Sequence, residues 1–146
     1  DQIIDFVKSG QADAGLIIHE GQLTYGESGM HKIVDLGEWW YQETGLPLPL
    51  GGNVIRRDLG DEKMRKVTRL VHQSIQHSLD NRAEALDYAM IYARDMETKT
   101  ADQFVGMYVN HFTTEMRPEV VESAQILLDS GYEAGIISKR IQIEFV

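Results

Sequence analysis

The chain has 146 residues, and 42% hydrophobic with 25% charged residues is the composition of an ordinary globular domain. Its formal net charge of −9 would repel a phosphate backbone, so the sequence disfavours nucleic-acid binding. No apolar run approaches the roughly 18–20 residues that cross a bilayer, which disfavours a membrane protein. The absence of cysteine excludes disulfides, thiolate metal sites and cysteine nucleophiles, and it is typical of a cytoplasmic protein.

The first part of the chain mixes helix and strand patterns. Residues 1–7 have the apolar face of an amphipathic helix, and Gly10 is placed to end it. Because this helix starts at once and residue 1 is Asp rather than Met, we expect a truncated chain. Residues 14–18 and 32–36 are apolar runs that predict short buried strands.

A short helix is predicted over residues 38–44, closed by Gly45 and stopped by Pro47. Large rings bury much area, so we expect at least one of its aromatic residues to pack inward. These residues are Trp39, Trp40 and Tyr41.

From Asp61 onward the patterns are helical, and four helices are expected. Asn81 with Glu84 predicts a capping box that opens the second of them, and Thr100 with Gln103 predicts another. Pro118 suits the first position of the last helix. The helices therefore have apolar faces but few strands to cover, and a sheet supplied from outside the chain would resolve this. Apolar surface left exposed would favour self-association as a homodimer.

His19 follows the predicted strand at residues 14–18 directly and stands before Glu20 and Gly21. Open α/β folds place ligands beyond the carboxyl ends of their strands. Imidazole titrates near neutral pH, so a histidine there suits general-base chemistry. A hydrogen-bonded structural histidine would occupy the same position, and position alone favours that interpretation.

Gly51, Gly52, Asn53 and Arg56 are candidate substrate contacts in the segment that follows. Glycine lacks a Cβ and lets backbone amides approach a ligand closely, although a plain turn explains the same residues. Arg56 would suit an anionic substrate group, and the alternative is that Arg56 and Arg57 form a solvated pair at a strand end. No metal site is predicted, because a zinc-binding helix needs a second histidine four residues after His19, where Leu stands.

Two stretches carry a resemblance to one family. They are QADAGLIIHEGQLTYGE at residues 11–27 and VDLGEWWYQETGLPLPLGGNVIRRDLG at residues 34–60. Together they resemble the 1,4-dihydroxy-6-naphthoate synthases of the futalosine route to menaquinone. The resemblance implies an α/β fold like type II periplasmic binding proteins, with two lobes around a cleft. This truncated chain would hold part of lobe two (residues 1–47), then a crossover strand and the helix-rich part of lobe one (residues 48–146).

The resemblance also implies an activity. The family cleaves a small-molecule substrate, cyclic dehypoxanthine futalosine, to 1,4-dihydroxy-6-naphthoate in the cytoplasm, without a metal or organic cofactor. Its proposed base is the histidine of the IHEG motif, which corresponds to His19. Because family members are longer, this chain alone is expected to lack substrate contacts and to be inactive. Two alternatives remain, a non-catalytic solute-binding protein of the same fold and the sibling enzyme chorismate dehydratase.

Overall fold

The computed structural model describes residues 2–93, 96–115 and 117–146, and within these ranges the chain folds into eight α-helices. They are α1 (Ile3–Lys8), α2 (Gly21–Thr24), α3 (Leu36–Thr44), α4 (Asp61–Asp80), α5 (Arg82–Met90), α6 (Thr98–Tyr108), α7 (His111–Thr114) and α8 (Pro118–Glu133). Short 3-10 turns lie at Tyr25–Ser28 and Arg57–Leu59. None of the described helices is both long enough and apolar enough to cross a membrane.

The expected α/β fold of the periplasmic-binding-protein type is wrong, since the described residues contain neither a strand nor a sheet. Residues 14–18 and most of residues 32–36 have no regular secondary structure. Their apolar side chains are largely exposed, with Ile18 at 72% and Ile33 at 82%. A strand needs a neighbour to satisfy its N–H and C=O groups, and an apolar pattern alone does not supply one. The expectation of two lobes around a cleft falls with the sheet.

The segment from residue 47 to residue 56 is also irregular, so the crossover strand expected there is wrong. Val54 is 97% exposed, which leaves its side chain without packing. The division of the chain at residue 47 stays a prediction. Hydrogen bonds nevertheless join the two parts, because Trp40 and Pro47 in the first part both bind Ser123 of α8 in the second.

Local signals place several helices correctly. The first predicted helix corresponds to α1, and the one predicted over residues 38–44 corresponds to α3. Asp35 caps α3 by accepting hydrogen bonds from the amides of Gly37 and Glu38, at 3.0 and 3.2 Å. Gly45 ends this helix with a φ of 71°, a conformation that favours glycine. Pro118 opens α8 as predicted.

Two predicted capping boxes are wrong. Asn81 precedes α5, but its side-chain amide donates to the carbonyl of His77 at 2.9 Å and so closes α4. The end of one helix thus competes with the start of the next for the same side chain. Thr100 lies inside α6, which begins at Thr98 after Glu97.

A buried chain of hydrogen bonds joins α3 to α8. The indole N–H of Trp40 donates to Oγ of Ser123 at 2.8 Å, and that hydroxyl donates to the carbonyl of Pro47 at 2.7 Å. Trp40 is 5% exposed and Ser123 is fully buried. This confirms that one of the three aromatic residues of α3 packs inward, and it fixes α3 and the segment after it against α8.

Candidate functional site

His19 lies two residues before the start of α2, in the irregular segment that follows α1. Its Nδ1 accepts a hydrogen bond from the backbone N–H of Gly21 at 3.0 Å. The side chain is 26% exposed, yet its Nε2 is buried and has no hydrogen-bond partner among the described residues. A buried polar atom left unpaired costs about 1–3 kcal/mol, so Nε2 is the ring atom with the most to gain from a ligand.

The carboxylate of Glu20 lies near Nδ1 of His19, the same ring atom that the Gly21 amide binds. Its Oε2 is 3.7 Å from Nδ1 of His19, which is beyond hydrogen-bonding distance but close enough for attraction to a protonated ring. The Glu20 side chain is 46% exposed, so water weakens that attraction. His19 therefore has a backbone donor in contact and a carboxylate close by.

The hydroxyl of Tyr108 in α6 makes hydrogen bonds to residues on either side of His19 in the sequence. Its hydroxyl donates to the carbonyl of Ile18 at 2.8 Å and accepts from Nε2 of Gln22 at 3.1 Å. The Tyr108 ring packs against Phe104, with centroids 5.0 Å apart. Ile18 and Gln22 flank the histidine in sequence, so a single side chain ties both ends of the segment to α6.

Tyr108→Phe is expected to lower the free energy of unfolding by about 1 kcal/mol, because it removes one hydroxyl that serves two partners. It should also speed hydrogen exchange at the Gly21 amide, which lies between those partners. Denaturant unfolding and amide exchange measure the two effects. Tyr41→Phe is the matched control, since Tyr41 is 62% exposed and should tolerate the change. Equal exchange rates in Tyr108→Phe and wild type would show that the hydroxyl does not hold the segment.

The other predicted site residues lie on irregular, exposed backbone. A Cβ added at Gly51 or Gly52 would meet nothing within 4 Å, and Asn53 is exposed. Arg56 donates through Nε to Oδ1 of Asp58 at 2.8 Å, in an ion pair whose two side chains are both exposed. Within the described ranges, no hydrogen bond or ion pair links these residues to His19. Their role as substrate contacts stays a prediction.

Sequence reasoning did not identify Tyr108 and Gln22, which are 86 positions apart. Phe104 and Tyr108 are four residues apart, which is the spacing of one helix face and gives no indication of a contact with residues 18–22. The described residues contain no cluster of three or more His, Asp or Glu side chains able to hold a metal ion. The described site thus consists of His19, Glu20, Gly21 and the contacts of Tyr108 with Ile18 and Gln22.

Comparison with known proteins first gives the class. Residues 1–133 match the family model described as menaquinone biosynthesis. A Streptomyces coelicolor protein named 1,4-dihydroxy-6-naphthoate synthase is 36% identical over 136 residues, which are 93% of this chain and 48% of that protein. A Thermus thermophilus protein of the same name is 41% identical over 119 residues, 82% of this chain and 44% of its own length. The chain belongs to the menaquinone biosynthesis family, and it spans about half the length of these curated relatives.

The fold is shared with a solved protein. A crystal structure from Archaeoglobus fulgidus superposes with a TM-score of 0.88 at 41% sequence identity. The match covers 94% of this chain and 52% of that one. The arrangement of the described helices is therefore that of a solved relative over nearly the whole chain.

Proposed function

We propose that the protein containing this chain is a lyase that converts cyclic dehypoxanthine futalosine to 1,4-dihydroxy-6-naphthoate in menaquinone biosynthesis. The proposal rests on the identity of 36% and 41% to two proteins that carry the name of that synthase. We assign the reaction to the cytoplasm, in keeping with the absence of cysteine. The activity is proposed for a protein of the relatives' length, and the 146-residue chain alone is expected to be inactive.

His19 is the proposed general base. A proton removed from the substrate starts an elimination that ends in an aromatic ring, and a neutral imidazole suits that step. The buried Nε2 without a partner in the described part of the chain supports this role, because a ligand would complete its hydrogen bonding.

The proposed substrate contacts are Gly51, Gly52, Asn53 and Arg56. Their exposure leaves them accessible to a ligand, and the ion pair of Arg56 with Asp58 would have to open for the guanidinium to bind an anion. Single alanine variants that all bind the substrate with wild-type affinity would remove these residues from the proposal.

Turnover of cyclic dehypoxanthine futalosine tests the function. A protein that contains this chain and has the full length of the curated relatives (the protein of the relatives' length) is incubated with the substrate. The release of 1,4-dihydroxy-6-naphthoate is followed by chromatography, and the 146-residue chain is assayed in parallel. Naphthoate release by the longer protein supports the proposal. A longer protein that binds a small molecule without converting it would be a binding protein, and one that dehydrates chorismate would be the sibling enzyme.

We also infer that the chain studied alone associates with a second copy of itself. Among the described residues only Trp40, Met64 and Ala101 are buried apolar residues, while large side chains such as Ile33 and Val54 are more than four-fifths exposed. Exposed apolar surface of this kind is normally covered by protein. Light scattering should therefore give a dimeric mass, and a monodisperse monomer that unfolds cooperatively would contradict the inference.

A further inference from the structure

The hydrogen bond at Nδ1 determines where a neutral His19 ring carries its proton. A backbone N–H always donates, so Nδ1, which receives the Gly21 amide at 3.0 Å, has no proton of its own. The proton of the neutral ring is then on Nε2, which makes that atom a hydrogen-bond donor. A general base needs the opposite tautomer, with a lone pair on Nε2 and the proton on Nδ1. The described geometry is therefore the donor form of His19, not its base form.

Gly21 makes this geometry possible because it has no side chain. It is buried, and a Cβ added there would lie 2.6 Å from Cε1 and 2.9 Å from Nδ1 of His19. Both distances are far below the optimal van der Waals separation of about 3.5–4.0 Å. The φ of Gly21 is not in the left-handed region, so the requirement for glycine is steric. Any other residue at this position would push the imidazole away from the amide.

Glu20 offers the partner that the base form needs. A ring with its proton on Nδ1 has to donate to an acceptor, and the Glu20 Oε2 is 3.7 Å from that nitrogen. A movement of about 0.8 Å would bring the pair into charge-assisted hydrogen-bonding distance. Nε2 would then carry a lone pair that can accept the substrate proton. The tautomer change takes one proton off Nε2 and puts one on Nδ1, and because Nε2 is buried it requires a movement of the ring that lets water reach that atom.

We propose that Glu20 and Gly21 are positioning residues that take turns as the hydrogen-bond partner of Nδ1 of His19. The Gly21 amide donates to Nδ1 and stabilises the donor form, and the Glu20 carboxylate accepts from Nδ1 and stabilises the base form. This rests on the proposed function, in which Nε2 meets the substrate. In the base form a substrate C–H bond breaks, its proton passes to Nε2, and its electron pair forms the new double bond. The leaving group departs with the electrons of its own bond, and the imidazolium pairs with Glu20.

Nitrogen-15 NMR of the His19 ring tests the resting tautomer. The spectrum is recorded on the protein of the relatives' length without substrate and assigned by comparison with His19→Gln. We expect Nε2 to have the shift of a protonated nitrogen and Nδ1 that of an acceptor. A resting ring protonated on Nδ1 alone would overturn the proposal, and this measurement needs no turnover.

Gly21→Ala tests the steric requirement. We expect it to abolish the acceptor signature of Nδ1 and to lower kcat by about a hundredfold with a smaller change in KM, because the ring is displaced while the rest of the site is kept. Gly26→Ala on the neighbouring 3-10 turn is the control, since its added Cβ meets nothing within 4 Å. A Gly21→Ala protein with the wild-type spectrum and kcat would show that the amide contact has no role.

Glu20→Gln tests the base form. It keeps the shape of the side chain but removes the charge that stabilises the imidazolium, so kcat should fall at least about tenfold while the resting tautomer is unchanged. Glu20→Asp should recover part of the activity, and Glu27→Gln, at an exposed carboxylate, should match wild type. Wild-type kcat in Glu20→Gln would overturn the role of Glu20. An inert wild type would instead overturn the proposed function and the base form with it, while the spectrum still decides the Gly21 contact.

Discussion

His19→Ala, made in the protein of the relatives' length, is expected to lower kcat for cyclic dehypoxanthine futalosine by about a hundredfold or more. General-base assistance contributes about 10²–10⁴-fold, and alanine at position 19 leaves no group to accept the substrate proton. KM should change less, because the imidazole is only one of the contacts a substrate of this size makes. Steady-state kinetics of naphthoate release measure both constants.

Two further variants separate chemistry from structure. His31→Ala is the matched control, since His31 is exposed and should keep the wild-type kcat. His19→Gln keeps a hydrogen-bond donor but cannot act as a base at neutral pH. If His19→Gln retained wild-type turnover, His19 would act only as a donor. If His19→Ala retained it as well, His19 would be a structural histidine.

Helix positions could be predicted from sequence because their signals are local. A Gly45 that adopts a left-handed conformation and a Pro118 at a first turn each act within a few residues. Where two helices meet, the same kind of signal is ambiguous. Asn81 matches a capping pattern for α5 but binds the carbonyl of His77 in α4.

Strands, unlike helices, could not be predicted from local signals in the sequence. An apolar run such as residues 14–18 reports a preference for burial, but a strand exists only where another strand supplies its hydrogen bonds. In the described part of the chain no such partner lies beside it, and Leu16 and Ile18 are exposed. The inference from an apolar pattern to a strand therefore failed, and the two-lobed α/β fold implied by the family resemblance is likewise not found in the described residues.

The candidate site was predictable at its centre and not around it. His19 stands at the end of an apolar run, and the IHEG motif directs attention to it. The requirement for glycine at position 21 depends on the orientation of the His19 ring, which cannot be predicted from the spacing of residues in the sequence. Tyr108 reaches Ile18 and Gln22 only because α6 lies beside them in the fold. Contacts between distant positions need the tertiary structure.

Trp40→Ala is expected to have the largest effect on stability, lowering the free energy of unfolding by about 3–5 kcal/mol. The indole is 5% exposed, so its removal leaves a cavity between α3 and α8. It also takes away the donor that reaches Ser123, a hydroxyl with no exposure to water. Denaturant unfolding measures the change, provided that the transition is cooperative.

The neighbouring indole supplies the control, because Trp39 is 47% exposed and its replacement by alanine should cost about 1 kcal/mol or less. Ser123→Ala separates the hydrogen bonds from the cavity. It leaves the indole N–H of Trp40 and the carbonyl of Pro47 unpaired, and we expect it to cost about 1–3 kcal/mol. Equal losses in Trp39→Ala and Trp40→Ala would mean that the link between α3 and α8 does not hold the fold together. A larger loss in Trp40→Ala than in Trp39→Ala would show that the buried indole stabilises the packing of α3 against α8.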